Sequence, residues 1–363
     1  LAWTGFGYTQ SLFPSRTAQS WQDLGKAWLI MLVAINALQT KRHVTLVSVF
    51  FLGCFALFPV RGTYFNYFIY RETINGRVAW NFIYDNANDL AAFTLVPITL
   101  CMGICATRVK RDWIWWSAAA GLFLLPLMVF LTQSRGGIIA LSILIVTVLL
   151  RQRRRARSFA ILLGVAGLIA IVAPKSVWTR LRGLKNAADP GTLVEVDPEG
   201  SAEQRYEIWK VGMRISQDYP LTGVGLGVYP YVHARYAEMP IFKPTARGLR
   251  DTHSTYINVL AETGLPGLLI FLALLISSFM HADRIRRRIR LSHPREAQQL
   301  LYLELGIGCF LIAGIFGTYA HLGFLYLYLA LLYAMAETSM EQAAAVSRPV
   351  SPRASMRATL RTA

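Results

Sequence analysis

The sequence predicts an all-α polytopic membrane fold with one large segment outside the bilayer. Three observations carry this. Of the 363 residues, 54% are hydrophobic and only 16% charged, a balance foreign to soluble domains. Apolar stretches of roughly 14 to 20 residues, close to the length that crosses a hydrocarbon core, recur from Trp28 to Ala336. Short arginine-rich segments separate them, as the charge bias of membrane loops requires.

Spans are expected at 24–39, 44–60, 88–106, 113–131, 135–150, 158–173, 264–281, 300–318 and 322–336. Twenty of the 37 Lys and Arg residues fall in five clusters: KRH at 41, RVKRD at 108, RQRRRAR at 151, RIRRRIRLSHPR at 284, and the arginines of the C-terminal tail. With these clusters inside the cell, the nine spans alternate without contradiction. The first span then runs inward to reach KRH, so the segment before it lies outside. Because the chain opens LAWTGFGYTQ without a methionine, an odd number of further spans is expected ahead of it.

The formal charge of +17 would suggest nucleic acid in a soluble protein. Here the basic clusters alternate with the spans and none is interleaved with aromatics that stack bases, so no nucleic-acid role is expected. The four cysteines, Cys54, Cys101, Cys105 and Cys309, all lie in apolar stretches. Cys101 and Cys105 have helical rather than metal-ligand spacing, and all four read as small buried apolar residues.

The expected organisation is transmembrane helices over 1–173, an outer loop region with helices over 174–263, transmembrane helices over 264–336, and an inner basic tail over 337–363. Two outer segments are long enough to carry function, 61–89 and 174–263. The second carries 11 Lys or Arg against 9 Asp or Glu up to Asp251 and has no cysteine staple. It must fold on the membrane bundle or through its own helices.

One such helix is SAEQRYEIWKVGMRISQDYP, which opens with Ser201 and Gln204 at capping-box spacing and stops at Pro220. Tyr206, Trp209 and Met213 share one face at helical spacing, a face expected to be core. Arg205 lies near the helix start, where free N–H groups and the dipole favour an anion. The TGVGLGVYP that follows lacks the strand-turn-helix setting of a dinucleotide fingerprint, and a flexible turn is expected.

Arg135 presents a length problem. The uninterrupted apolar stretch 137–150 covers roughly 21 Å of a core about 30 Å thick. The helix is therefore expected to extend back through Arg135, drawing a guanidinium to the outer membrane surface, where a charge is either functional or snorkelling to headgroups. Arginine suits a diphosphate because its planar fork makes bidentate, charge-assisted hydrogen bonds. Arg135 and Arg205 together are a candidate clamp.

RDTHSTYINVLAETGLPG at 250–267 holds His253, one of six histidines. Asp251 or Thr252 is expected to cap the helix that STYINVLAE suggests. A histidine at a helix N-terminus has its protonated form disfavoured, and a neutral imidazole is a candidate general base; a surface histidine is the competing reading. There is no H-E-x-x-H, G-x-S-x-G or Walker loop, and Asp197-Pro198-Glu199 is the nearest approach to an Asp-x-Asp site. Neither metal nor nucleotide sugar is supported.

HSTYINVLAETGLPG resembles the signature of the O-antigen ligases, within the larger group of O-antigen polymerases and protein O-oligosaccharyltransferases. That signature is His, then Asn, Ser or Gln, nine residues, Gly, two residues, Gly, here His253, Ser254, Gly264 and Gly267. QSRGG and RYEIWKVGMRISQDYPLTGVGLGVY are similar to the family's arginine-bearing segments, and the resemblance runs over about 86–336. It implies a helical GT-C-like membrane glycosyltransferase of about twelve spans, with His253 catalytic and Arg135 and Arg205 on the donor diphosphate. The implied donor is O-antigen polysaccharide on undecaprenyl diphosphate, and the implied acceptor is a sugar hydroxyl of the lipid A-core, at the periplasmic face of the bacterial inner membrane. The glycosyl diphosphate is already activated, so no ATP, metal or other cofactor is required. The nearest alternative is an O-antigen polymerase or a protein O-oligosaccharyltransferase of the same superfamily; a transporter of the same lipid is the more distant one, from another class, and Glu304, the one acid placed for it, reads as an interface residue near the inner end of its span.

Overall fold

The computed structural model describes residues 1–73, 77–78, 86–151, 167 and 201–347. The expected span 158–173, apart from Gly167, lies outside the described residues. So do all of 174–200, with Asp197 and Glu199, and the tail from 348.

Eleven helices order the described residues: α1 Ala2–Tyr8, α2 Pro14–Ala37, α3 Lys41–Tyr70, α4 Ala87–Thr107, α5 Trp113–Leu131, α6 Arg135–Arg151, α7 Ser201–Asp218, α8 Tyr229–Tyr236, α9 Thr255–Ile289, α10 Pro294–Ala313 and α11 Gly323–Ser347. The fold is the expected all-helical polytopic one. Five helices, α3, α4, α5, α9 and α11 as far as Ala344, are long and apolar enough to cross a membrane. α2, α6 and α10 coincide with three further expected spans.

The helices pack where small residues let their backbones approach. α4 is buried on nearly all sides and lies against α5, α6 and α10. A Cβ at Gly306 would come within 2.0 Å of Thr99, one at Gly121 within 2.9 Å of Cys101, and one at Gly137 within 2.5 Å of Ala91. α11 packs on α2, α3 and α9. A second apolar cluster, with Val211, Ile215, Val232 and Phe242, sits under α7 and α8 and joins the bundle through Ala261 on α9.

Four element boundaries depart from expectation. α3 runs on through π turns to Tyr70, so 61–70 is helix rather than loop. α10 ends at Ala313 and not at 318, because Gly314 and Gly317 open an irregular segment there. α11 continues past Ala336 to Ser347, with Met340 and Ala343 still packed on the core. α9 joins the short helix after His253 to the following span, with a break at Gly264 (φ 70°, ψ −177°).

Candidate active site

α6 begins at Arg135, as its length required, and reaches about 25 Å at 1.5 Å per residue. Ser134 closes the helix start by accepting from the Gly137 N–H at 3.3 Å. Arg135 is half-buried at this end of the bundle. Gly136 beside it has no room for a side chain, since a Cβ would lie 2.9 Å from Phe316.

Phe316 belongs to the segment 314–322 between α10 and α11, and the same segment braces the other two predicted residues. Trp209 of α7 lies beside Phe316 in a tilted arrangement, with ring centroids 6.2 Å apart. Its indole N–H donates to the Thr252 carbonyl at 2.9 Å. Thr252 Oγ1 lies 3.1 Å from Thr318 Oγ1. Thr255 N–H donates to the Gly314 carbonyl at 2.8 Å and Thr255 Oγ1–H to the Gly317 carbonyl at 2.7 Å. Thus α6, α7 and the start of α9 meet on one irregular segment, which brings the neighbourhoods of Arg135, Arg205 and His253 together.

His253 is half-buried and lies just before the N-cap Ser254, with φ +48°. The expected caps do not form. Ser254 makes no side-chain cap, Asp251 Oδ1 accepts from the Thr252 N–H at 2.8 Å, and Thr252 Oγ1 accepts from the Ser254 N–H at 3.3 Å. These side chains are spent on the turn that presents the histidine. Burial pushes the His253 imidazole below the ordinary histidine value, the Arg205 guanidinium pushes it further, Asp251 opposes and Arg250 reinforces. The neutral state expected from a helix start therefore rests on burial and a neighbouring cation, because His253 lies outside the helix.

Arg205 is the fifth residue of α7, half-buried, and close enough for its charge to act on both His253 and Tyr319. The face of α7 that is core differs from expectation. Ile208, Val211 and Ile215 are buried, at i, i+3 and i+7, whereas Tyr206 and Met213 are exposed. Trp209, between the two faces, turns to the Thr252 carbonyl instead. Nor is the glycine turn after α7 loose. Gly223, with φ +67°, has no space for a Cβ against the Glu262–Thr263 backbone, and Val224 N–H donates to the Ala261 carbonyl at 3.0 Å. The turn is packed onto α9 beneath the site.

Several residues of the site end carried no local signal in the sequence. Arg77 donates from Nε to the Thr132 carbonyl at 2.8 Å and from Nη2 to Asn88 Oδ1 at 2.7 Å, which adds a guanidinium near the start of α6. Tyr319 is buried and hydrogen-bonds Asp89; burial first, and then that carboxylate, raise its phenol well above the ordinary value. His321 Nε2 lies 2.9 Å from Asn258 Oδ1 and 2.9 Å from Glu262 Oε2, the latter off the line of a hydrogen bond. Burial alone would lower the His321 imidazole, but the Glu262 carboxylate, with Asp251 beyond it, outweighs this and holds it above the ordinary value. Glu262 Oε1 accepts from the Tyr229 N–H at 3.1 Å and so ties α8 to α9.

Fold and site together define a polytopic helical membrane protein with a shielded histidine and a group of arginines at one end of its bundle. Residues 119–272 match the family model described as O-antigen ligase, a stretch that includes Arg135, Arg205, His253 and both motif glycines. The likeness covers this stretch, less than half of the chain. No curated protein matches it.

Proposed function

We propose that the protein is a ligase that transfers O-antigen polysaccharide from undecaprenyl diphosphate to a sugar hydroxyl of the lipid A-core, at the periplasmic face of the bacterial inner membrane. The observation that carries this reading is the seating of a neutral-leaning histidine beside Arg205, with the Arg135 helix resting on the same segment. His253 takes the proton of the acceptor hydroxyl as its oxygen bonds to the anomeric carbon. The bond from that carbon to the diphosphate oxygen breaks on the opposite face, which inverts the centre. The growing negative charge on the departing diphosphate falls to Arg135 and Arg205, whose forks match its oxygens. Because the histidine starts neutral and the donor starts activated, the step needs neither metal nor ATP.

The direct test is ligation by the purified protein supplied with both lipid substrates. His253→Ala is expected to lose about 100-fold to 10,000-fold in rate, the span of general-base catalysis; full activity would refute the base role. Alanine at Arg135 or Arg205 is expected to weaken donor binding, and unchanged donor affinity would exclude the clamp. Lipopolysaccharide from a deletion strain separates this reaction from its superfamily neighbours. Loss of long chains with accumulation of lipid-linked O-antigen marks a ligase, whereas short capped chains mark a polymerase.

A further inference from the structure

At the end of the bundle opposite His253, the last residue of α6 and the last turn of α9 bring Arg151, Arg286 and Arg290 to one open cleft against the start of α10. Its volume of about 540 Å³ is in the range of small-molecule sites. A second cavity of about 360 Å³ shares Arg151, Arg286, Leu301 and Leu305 with it, so the two form one cleft between α6, α9 and α10. The far part is largely apolar, lined by Ile143, Phe279, Leu305 and Ile312. Gly308 leaves that wall open, with nothing within 4 Å of where its Cβ would stand. From Leu305 to Ile312 this shaft rises about 10 Å along the helix.

The polar groups of the cleft are unequally committed. Arg286 is spent: its Nε donates to Glu304 Oε2 at 2.9 Å, and its Nη2 meets Asp283. Arg290 and Arg151 make no hydrogen bond or salt bridge among the described residues, although the charge of Arg151 reaches Glu304. Tyr302 OH accepts from Gln298 Nε2 at 2.7 Å and keeps its own proton to donate. Glu304 is only 8% exposed, and its Oε1 has no hydrogen-bonding partner among the described residues. A buried carboxylate oxygen in that condition calls for a donor.

Two guanidiniums without a hydrogen bond among the described residues, one buried acceptor and an apolar shaft describe an amphiphile. We infer that this cleft holds a glycerophospholipid, its phosphodiester between Arg151 and Arg290, an ammonium or hydroxyl of its headgroup on Glu304 Oε1, and one acyl chain along the shaft. Basic pockets between helices at the inner membrane face suit such headgroups. The inference is independent of the transfer reaction at the other end.

The test is native mass spectrometry of the full chain in mild detergent, presented in turn with phosphatidylethanolamine, phosphatidylglycerol and phosphatidylcholine. The first two are expected to remain bound, and phosphatidylcholine, with no donor for Glu304, at least about tenfold less. Arg151→Gln combined with Arg290→Gln removes retention, while Arg284→Gln, on an exposed position, preserves it. Gly308→Leu fills the shaft and expels the lipid with both arginines intact. Glu304→Gln separates the two headgroups: the amide oxygen still accepts from a hydroxyl, but the charge that favours the ammonium is gone. Equal retention of all three lipids overturns the proposal. So does unchanged retention in a double arginine variant that melts like the parent, and so does displacement of the lipid by millimolar inorganic phosphate, which would mark a free-phosphate site.

Discussion

His253 holds a left-handed backbone, φ +48°, that costs a non-glycine residue about 1 to 2 kcal/mol. It stays there because both neighbours are fixed, Thr252 by Trp209 and Thr318, and Ser254 by Thr252. Asp251 counteracts burial and Arg205 in setting the imidazole, so its removal has a definite sign. Asp251→Asn keeps an oxygen for the Thr252 N–H and removes the charge that raises the histidine. In a profile of kcat/KM against pH, the acid limb is expected to move to lower pH in this variant, since a base of lower pKa survives to greater acidity. A limb that moves upward, or does not move, would separate the limb from His253. The histidine and two arginines were legible as residue types at telling places. Arg77, Tyr319 and His321 were not, because each reaches this end from a segment distant in sequence and shows no periodicity or motif of its own.

At the scale of elements, the motif glycines explain themselves by geometry. Gly264 adopts φ 70° and ψ −177°, a region closed to other residues, and a Cβ there would come 2.0 Å from the Leu221 carbonyl oxygen. Gly267 is equally confined by Thr263, with Oγ1 at 2.1 Å. Gly264→Ala is expected to cost about 3 kcal/mol or more and to lower the melting temperature in detergent markedly. Gly53→Ala on α3, where nothing lies within 4 Å, provides the contrast and should melt no lower than the parent. Spans α4, α5 and α9 were legible because a continuous apolar run long enough for a bilayer has few other fates. The end of α10 was not. Apolar residues continue through Ile315 and Phe316, and hydropathy alone does not reveal that Gly314 and Gly317 leave the helix to receive hydrogen bonds from Thr255.

For the whole molecule, the apolar stretches set the expected spans and the five basic clusters their orientation, which is a prediction with a simple readout. Thr245→Cys, exposed near the site end, and Ser292→Cys, exposed between α9 and α10, are expected to react with a membrane-impermeant thiol reagent from opposite sides. In intact cells with a permeabilised outer membrane only the first should label, and labelling of the second alone would invert the topology. The native cysteines are buried or half-buried and set a low background. The segment 314–322 also bears on how such proteins can be recombined. The family match ends at residue 272, yet the floor on which Trp209, Thr252 and Thr255 rest comes some forty residues later in the chain. A chimera that transplants the matched stretch alone would set the histidine on a foreign foundation, so the functional unit of exchange is two separate pieces of sequence.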